Sequence, residues 1–469
     1  MAYFGRLTWG YDNRYNLQAN FRADAFDASK LSNQNRWGYF PSFSAGWTIS
    51  NEAFMKEFAT SIKLSNMKLR ASWGRNGNVN ILSNYQYNST IAQDGNNFYQ
   101  YIAGNSATTQ GGKPSGVVNK ALKWETLEQK DFGLETRFLN NRLTFNAGYF
   151  EKNTKDLLVA VPPFVEMGIT SNTNINAGNV KNTGFEFELG WQEKKGDFKY
   201  SINANLSALS NKVTYLDPRV PFLNGSTPMN SFSGSGTRFK VGYPVWYLNG
   251  FQYLGVAKEA GYYKKADGSN GISYAAGDPL FKDVNGDGAI NNADFVYLGS
   301  GIPKLTFGIT INLAYKFVDL TIFGTGVSGN KLLPYYYDCN DNALNNLMTY
   351  YYDNRYTKDN TNGARPSANS LASGTFKDKY FVSSDNVFKG DYFRFKQIQL
   401  GFTVPKKFSR KYQIDNLRIF ASLDDYITLT KYPGFDPEAS SINTDNGLGL
   451  DYGNTPISRK IIFGLNLSF

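Results

Sequence analysis

Apolar and polar residues alternate one by one along much of this chain. The clearest run lies between Tyr15 and Ala25, where every second residue is apolar and asparagine, glutamine, arginine and aspartate stand between them. The same period of two recurs from Phe198, from Leu305 and through 459–469. These runs have the length of about ten residues that a tilted membrane strand needs. The pattern therefore predicts β-strands with one apolar face and one polar face.

Applied to the whole chain, the period predicts about thirteen strands. They are predicted at 3–11, 15–25, 39–49, 67–74, 131–139, 142–153, 183–192, 197–208, 304–315, 318–327, 391–404, 416–426 and 459–469. Short connections alternate with long ones, and the long ones are expected near 92–130, 154–182, 209–303, 328–390 and 427–458. The segment 247–256 is taken as part of a loop.

This alternation of connections is typical of outer-membrane barrels, which have short periplasmic turns and long extracellular loops. The last predicted strand ends on Phe469, and a terminal phenylalanine resembles the assembly signal of such proteins. The sequence therefore predicts an all-β fold, an antiparallel transmembrane β-barrel with long extracellular loops. Bacterial single-chain barrels have an even number of strands. We therefore expect an odd number of further strands before Met1.

Composition agrees with a barrel and argues against most enzymes. Aromatic residues make up 16% of the chain, yet mean hydropathy is −0.43, as expected when only one face of each strand is apolar. The chain contains no histidine and one cysteine, which excludes histidine-dependent triads, zinc sites and proton shuttles, and any internal disulfide. We expect no catalytic residues. The net charge of +10 is dispersed, so a nucleic-acid partner is not predicted.

One loop resembles a calcium site in its spacing. Counted from Asp283, the segment 283–294 follows the pattern D-x-N-x-D-G of an EF-hand loop, with Gly288 at the sharp turn and Asp instead of Glu at the twelfth place. The predicted oxygen ligands are Asp283, Asn285, Asp287, Ala289 through its carbonyl, Asn291 and Asp294. The alternative is a turn held by its own Asx hydrogen bonds. Calcium is the one cofactor that the sequence suggests.

Several motifs, in order and spacing, resemble the C-terminal halves of the SusC/RagA family of TonB-dependent transporters. The stretches that carry the resemblance are Tyr3–Arg6, Arg36–Ser42, Asp283–Gly288, Asp391–Arg394, Asn416–Arg418, Thr430–Tyr432, Asp436–Glu438 and Asp451–Gly453. The resemblance implies a plugged barrel of about 22 strands. Residues 1–469 would be the C-terminal part of that receptor β-barrel, about 13 of its strands, with the plug domain and the TonB box absent.

The resemblance also implies a function. Members of the family import oligosaccharides or oligopeptides across the cell outer membrane, with energy from TonB and with a SusD-like surface lipoprotein as a lid. We expect this chain to do so together with its missing N-terminal region, through which TonB would act. Two alternatives stay open: a non-transporting barrel remnant or split-gene fragment, and a passive porin-like pore. The sequence does not indicate which residues bind substrate.

Overall fold

The computed structural model describes most of the chain. The residues it leaves undescribed are 27–28, 80–81, 83, 85–86, 89–90, 93–99, 104–106, 111–112, 115–116, 162–165, 167–172, 227–233, 335–348, 374–375, 410, 412, 439–445 and 469. The terminal residue Phe469 thus lies outside the described residues, and its role as an assembly signal stays a prediction.

Thirteen strands form one antiparallel sheet, in chain order, so the predicted fold is confirmed. They are β1 (Ala2–Tyr11), β2 (Tyr15–Ala25), β3 (Trp37–Thr48), β4 (Leu64–Asn78), β5 (Glu125–Phe138), β6 (Leu143–Val161), β7 (Thr173–Lys195), β8 (Phe198–Leu216), β9 (Leu305–Tyr315), β10 (Val318–Ser328), β11 (Tyr392–Thr403), β12 (Asn416–Thr430) and β13 (Lys460–Ser468). All thirteen overlap the predicted strands.

The two faces of the sheet differ as the alternation predicts. Leu17, Phe21, Tyr39 and Phe43 lie on one face of β2 and β3, and each exposes half or more of its surface. The opposite face is polar: the Asn20 side-chain amide donates a hydrogen bond of 3.1 Å to the Ser42 hydroxyl. An apolar face exposed over many strands fits contact with lipid. The polar face then meets water, and we call it the lumenal face.

Tight turns at one end of the sheet depend on residues that tolerate a positive φ. Asp12 and Asn13 each have φ of 49° in the turn between β1 and β2, and Asn140 and Asn141 have 58° and 65° between β5 and β6. Asparagine and aspartate are the non-glycine residues that adopt this left-handed conformation most readily. The predicted short turns at these places therefore form, and we call this edge the turn end.

Several strands extend further than the alternation predicts. β7 has 23 residues, and β6 and β8 have 19 each, whereas a membrane crossing needs about 9–11 residues. Much of the expected loop 154–182, and the start of the loop 209–303, is therefore strand. Ala177 and Val213, in these extensions, are fully buried, and the Asp217 N–H donates a backbone hydrogen bond to the Ala177 carbonyl at 2.8 Å.

Shorter elements fill the connections. The small strands pair Ile91–Ala92 with Lys113–Pro114, Gln100–Ala103 with Ala107–Gln110, Tyr253–Val256 with Pro279–Phe281, and Gly261–Lys264 with Asn270–Tyr274. A four-stranded sheet joins Leu223–Asn224, Thr237–Phe239, Tyr247–Gly250 and Val296–Gly299. A three-stranded sheet joins Phe388–Lys389, Lys331–Pro334 and Leu450–Asp451. The helices are α1 (Lys56–Ser61), α2 (Thr349–Asp353), α3 (Ala368–Ser373), α4 (Lys377–Phe381) and α5 (Lys406–Ser409). Among the described residues, no helix is long and apolar enough to cross a bilayer.

The chain divides into two compact units, each with its own apolar core. The first comprises Met1–Phe185 and Asn211–Pro221. Its core is formed by Leu31, Val79, Leu82, Leu122 and Leu158, with Phe26 and Trp124 packed against them. Four of the five core residues lie outside the strands of the large sheet.

The second unit comprises Glu186–Ser210 and Phe222–Phe469. Its long connections fold around what we call the loop core: Leu248, Phe251, Phe281, Ile290, Leu333, Tyr351, Leu371, Phe376, Tyr380, Phe381, Val382 and Leu450. The connections after β8, β10 and β12 all contribute. The parallel pairing of Lys331–Pro334 with Leu450–Asp451 joins two of them. These segments are thus packed structure with an apolar interior.

Candidate functional site

The loop predicted to bind calcium is a compact turn built on aspartate and asparagine. The two carboxylate oxygens of Asp283 accept hydrogen bonds from the backbone N–H groups of Gly286 (2.7 Å) and Gly288 (2.8 Å). Asn285 Oδ1 accepts from the Asp287 N–H at 3.0 Å. Gly286 and Gly288 have φ of 71° and 75°, a conformation that disfavours any residue with a Cβ.

Asp294 closes the loop from the other end. Its carboxylate is fully buried and accepts from the backbone N–H groups of Val284 and Asn291, both at 2.8 Å. Asn291 in turn caps the short 3₁₀ helix Asn292–Asp294 by accepting from the Ala293 N–H. This reciprocal arrangement is a capping box, so the twelfth residue of the loop secures backbone at two points.

The electrostatics of the loop follow from these hydrogen bonds. The Ala289 N–H, 2.8 Å from Asp287 Oδ1, lowers the pKa of this exposed carboxyl below its usual range. In the described part of the chain, no group of three or more His, Cys, Asp and Glu side chains lies close enough to hold a metal ion. The geometry thus matches the Asx-turn alternative, and calcium binding at Asp283, Asn285, Asp287, Ala289, Asn291 and Asp294 stays a prediction. We derive no step from a bound cation.

An apolar side chain and backbone hydrogen bonds fix the loop to the rest of its unit. Ile290, the eighth residue of the motif, is 4% exposed and belongs to the loop core together with Phe281 just before the turn. The Ile272 N–H also donates to the Gly288 carbonyl at 2.7 Å. The turn therefore serves as a rigid corner of the folded connections.

A second candidate site lies on the lumenal face of the first unit. A groove of about 900 Å³ runs across β1–β5, and neutral polar side chains make up much of its wall. They include Gln18, Asn20, Ser42, Ser44, Ser72, Asn76, Asn78 and Gln129. Register explains the cluster, because Gln18 pairs with Ser44, and Ser44 pairs with Ser72 in the next strand. Directly paired residues share a face of a sheet.

Some charged side chains of this groove have partners within the wall, and aromatic rings bound one part of it. Arg22 Nε lies 2.6 Å from Asp24 Oδ2, and the Gln129 amide donates to Asp131 at 2.9 Å. Phe40 and Trp124 meet edge to face with ring centroids 5.4 Å apart. Such a wall offers amide and hydroxyl hydrogen bonds and an apolar surface to an uncharged polar ligand. The sequence could not reveal it, because the groove depends on the register between strands.

The second unit contains a group of charged side chains, two of them buried, that sequence reasoning did not find. Arg394 Nη2 donates to Asp436 Oδ1 at 2.6 Å, and the two side chains are only 3% and 4% exposed. Lys396 Nζ lies 2.7 Å from Glu438 Oε1 and 3.2 Å from Asp425 Oδ1. This group fastens the connection after β12 to β11. Asp436 and Glu438 stand in a motif that carries the family resemblance, which is the signal that could have singled them out.

Comparison with known proteins agrees with this geometry. The family model described as "TonB dependent receptor-like, beta-barrel" matches residues 1–322. The TonB-dependent receptor P3 of Formosa agariphila is 29% identical over 100% of this chain and 45% of its own length. The TonB-dependent receptor SusC of Bacteroides thetaiotaomicron is 28% identical over 100% of this chain and 44% of its own length. The chain thus spans about half the length of these relatives.

Solved structures show the same fold. The RagAB peptide transporter superposes with a TM-score of 0.77 at 22% identity, covering 100% of this chain and 47% of that chain. The RagAB peptide importer in its open-open state gives 0.78 at 23%, covering 100% and 46%. The predicted resemblance to receptors of the SusC/RagA type is confirmed. The chain belongs to the TonB-dependent receptor-like β-barrel family.

Proposed function

We propose that this chain is the membrane-embedded sheet of a TonB-dependent importer in the cell outer membrane, which takes up oligosaccharides or oligopeptides. One observation carries the proposal. Thirteen strands present an apolar face with large exposed side chains and a polar face with a groove of about 900 Å³. A soluble protein would not leave Leu17, Phe21 and Phe43 half exposed, whereas lipid covers them without cost.

The lumenal groove supports a large polar substrate without net charge. Its amides and hydroxyls can donate and accept hydrogen bonds with a sugar or with a peptide backbone. Arg22 and Asp24 form an ion pair within the wall, and Asp131 accepts a hydrogen bond from the Gln129 amide. Oligopeptides are included among the proposed substrates because the structurally similar RagAB protein is named a peptide transporter.

A surface lipoprotein of the SusD type is the proposed partner. The long connections form packed structure around the loop core, which gives a partner a stable surface to contact. Tyr243, Tyr247 and Tyr297 group on these connections with ring centroids 4.8–5.5 Å apart. Tyr243 and Tyr297 are exposed, and exposed tyrosine is enriched at protein interfaces. We propose no catalytic activity for the chain.

Uptake in cells tests the proposal. Cells would carry this chain joined to, or expressed with, the barrel and plug region of a related receptor, and fluorescent oligosaccharides and oligopeptides would be supplied with and without functional TonB. We expect uptake that requires TonB. Uptake without TonB would support the passive pore instead, and no uptake from a barrel shown to be assembled would support the non-transporting remnant.

A matched pair of variants tests the groove. Changing Gln18 and Asn20 to leucine removes two hydrogen-bonding groups from the lumenal wall, each worth about 0.5–1.5 kcal/mol. We therefore expect substrate affinity to fall by roughly fivefold to a hundredfold. The control is Leu17→Val on the lipid-facing side of the same strand, which should leave affinity unchanged. Equal affinity in the groove variant and the control would contradict this role for the groove.

A further inference from the structure

The connection between β3 and β4 is a folded segment at the turn end of the sheet. It contains the 3₁₀ turns Ile49–Asn51 and Ala53–Met55 and then α1. The Thr48 N–H donates to the Arg14 carbonyl at 2.7 Å, so the segment starts beside the turn between β1 and β2. We call residues 49–62 the turn-end helix segment.

Glu52 attaches this segment to the lipid-facing side of the strands. Its carboxylate accepts hydrogen bonds from the Tyr15 hydroxyl (2.5 Å), the Trp47 indole N–H (3.0 Å) and Arg14 Nη1 (2.9 Å). Tyr15 and Trp47 are cross-strand partners in the apolar row that also contains Leu17. The segment therefore leaves the sheet on its lipid side.

The residues around Glu52 form an aromatic row at this edge. The rings of Trp9 and Tyr11, of Tyr11 and Tyr15, and of Tyr15 and Trp47 stack with centroids 6.0, 6.5 and 6.4 Å apart. Rows of tryptophan and tyrosine at a strand end mark the boundary between hydrocarbon and headgroups in membrane barrels. The turn-end helix segment thus begins at the depth of the headgroups.

Three large apolar side chains of the segment are left uncovered. Phe54, Phe58 and Ile62 are 68%, 55% and 42% exposed. They are spaced four residues apart, which places them on one face of the helical turns. Ala59, on another face, is buried against the protein. Exposed Lys56 lies about 200° around the helix from Phe58, on the side away from the apolar face.

We propose that the turn-end helix segment is an interfacial anchor, whose Phe54, Phe58 and Ile62 insert among the acyl chains of a phospholipid leaflet. The occupant is a lipid surface because the apolar face continues the aromatic row of the lipid-facing strands. The side of the membrane rests on the proposed function, in which the short turns face the periplasm and the leaflet is the inner one of the outer membrane.

Quenching by probes of known depth tests the anchor. A fluorophore on Phe58→Cys, in a Cys339→Ser background, would be measured in the protein reconstituted into phosphatidylethanolamine and phosphatidylglycerol vesicles. The matched control is Thr60→Cys, which is exposed but lies about 200° around the helix. We expect quenching by a lipid-attached nitroxide to be at least about twofold stronger at 58 than at 60, and quenching by aqueous iodide to show the reverse order.

A third label position separates this inference from the proposed function. Phe43→Cys on the lipid-facing side of β3 should be quenched by the lipid nitroxide whenever the sheet is in the membrane. Quenching by the lipid nitroxide at 43 together with iodide quenching at 58 would overturn the anchor but leave the membrane placement of the sheet intact. Shielding of position 58 from both quenchers would indicate a protein contact and would also overturn it. A label at 43 that the lipid nitroxide does not reach would overturn the membrane placement and the anchor together.

Discussion

The buried pair of Arg394 and Asp436 gives the sharpest stability prediction. Asp436→Asn keeps the size of the side chain but removes the negative charge 2.6 Å from Arg394 Nη2. Within the described residues, Nε and Nη1 of Arg394 already lack a partner with hydrogen-bond geometry, although Nη1 lies 3.3 Å from Glu438 Oε2. The guanidinium would therefore stay buried with little compensation. Breaking such a buried pair costs about 3–5 kcal/mol.

Part of this loss should be visible at one amide. Asp436 Oδ2 accepts from the Ile457 N–H at 2.9 Å, which holds the end of the connection after β12. We expect hydrogen exchange at Ile457 to speed up in Asp436→Asn, together with a fall of about 3–5 kcal/mol in the free energy of unfolding in urea. The double variant Arg394→Met with Asp436→Asn removes both charges and should recover most of the loss.

The matched control is a pair that stays in contact with solvent. Arg22 and Asp24 lie 2.6 Å apart, but the Arg22 side chain is 63% exposed. Asp24→Asn should therefore cost about 0–1 kcal/mol. If Asp436→Asn costs no more than Asp24→Asn, or if the double variant is as unstable as Asp436→Asn, the buried pair does not hold this connection and our reasoning is refuted.

Three further changes test other parts of the structure. Each carboxylate oxygen of Asp294 accepts from one backbone N–H group, and Asp294→Asn replaces one of these oxygens with a donor. We therefore expect the free energy of unfolding to fall by about 1–3 kcal/mol and hydrogen exchange at Val284 to speed up. Asp287→Asn, at an exposed residue, should change exchange at Val284 little. Gly464→Ala would place a Cβ against the Phe420 ring and should cost about 1–3 kcal/mol in urea unfolding. Gly5→Ala, with open space around it, should be near neutral, and equal effects would contradict this packing. Calcium binding is checked by calorimetry: heat that vanishes in Asp283→Ala with Asp287→Ala would confirm it, and identical responses would contradict it.

The candidate calcium loop shows which features of a site the sequence can predict. The spacing of Asp283, Asp287 and Gly288 was enough to predict a sharp turn rich in oxygen ligands, because Asx hydrogen bonds and glycine conformations are local. Spacing could not decide what Asp294 does. In the structure its carboxylate closes the loop on backbone N–H groups and is fully buried, which depends on how the loop packs through Ile290.

The sequence by itself determined the strands of the large sheet. The run 15–25 was predicted and observed at the same bounds, and 318–327 became Val318–Ser328. The period of two is a local pattern that lipid on one face and water on the other impose on every crossing. It also predicted that every second residue of the run 15–25 shares one apolar face, and Leu17 and Phe21 are half exposed there.

Only the tertiary structure decided what the connections do. Leu248, Leu333 and Leu450 meet in one core although about a hundred residues separate each from the next, and nothing periodic marks them in the sequence. The same is true of Arg394 and Asp436, and of the groove residues that register brings together. A local pattern can state which face of a strand is apolar. Which distant segments bury each other depends on the free energy of the whole packed arrangement, which no single stretch of the chain contains.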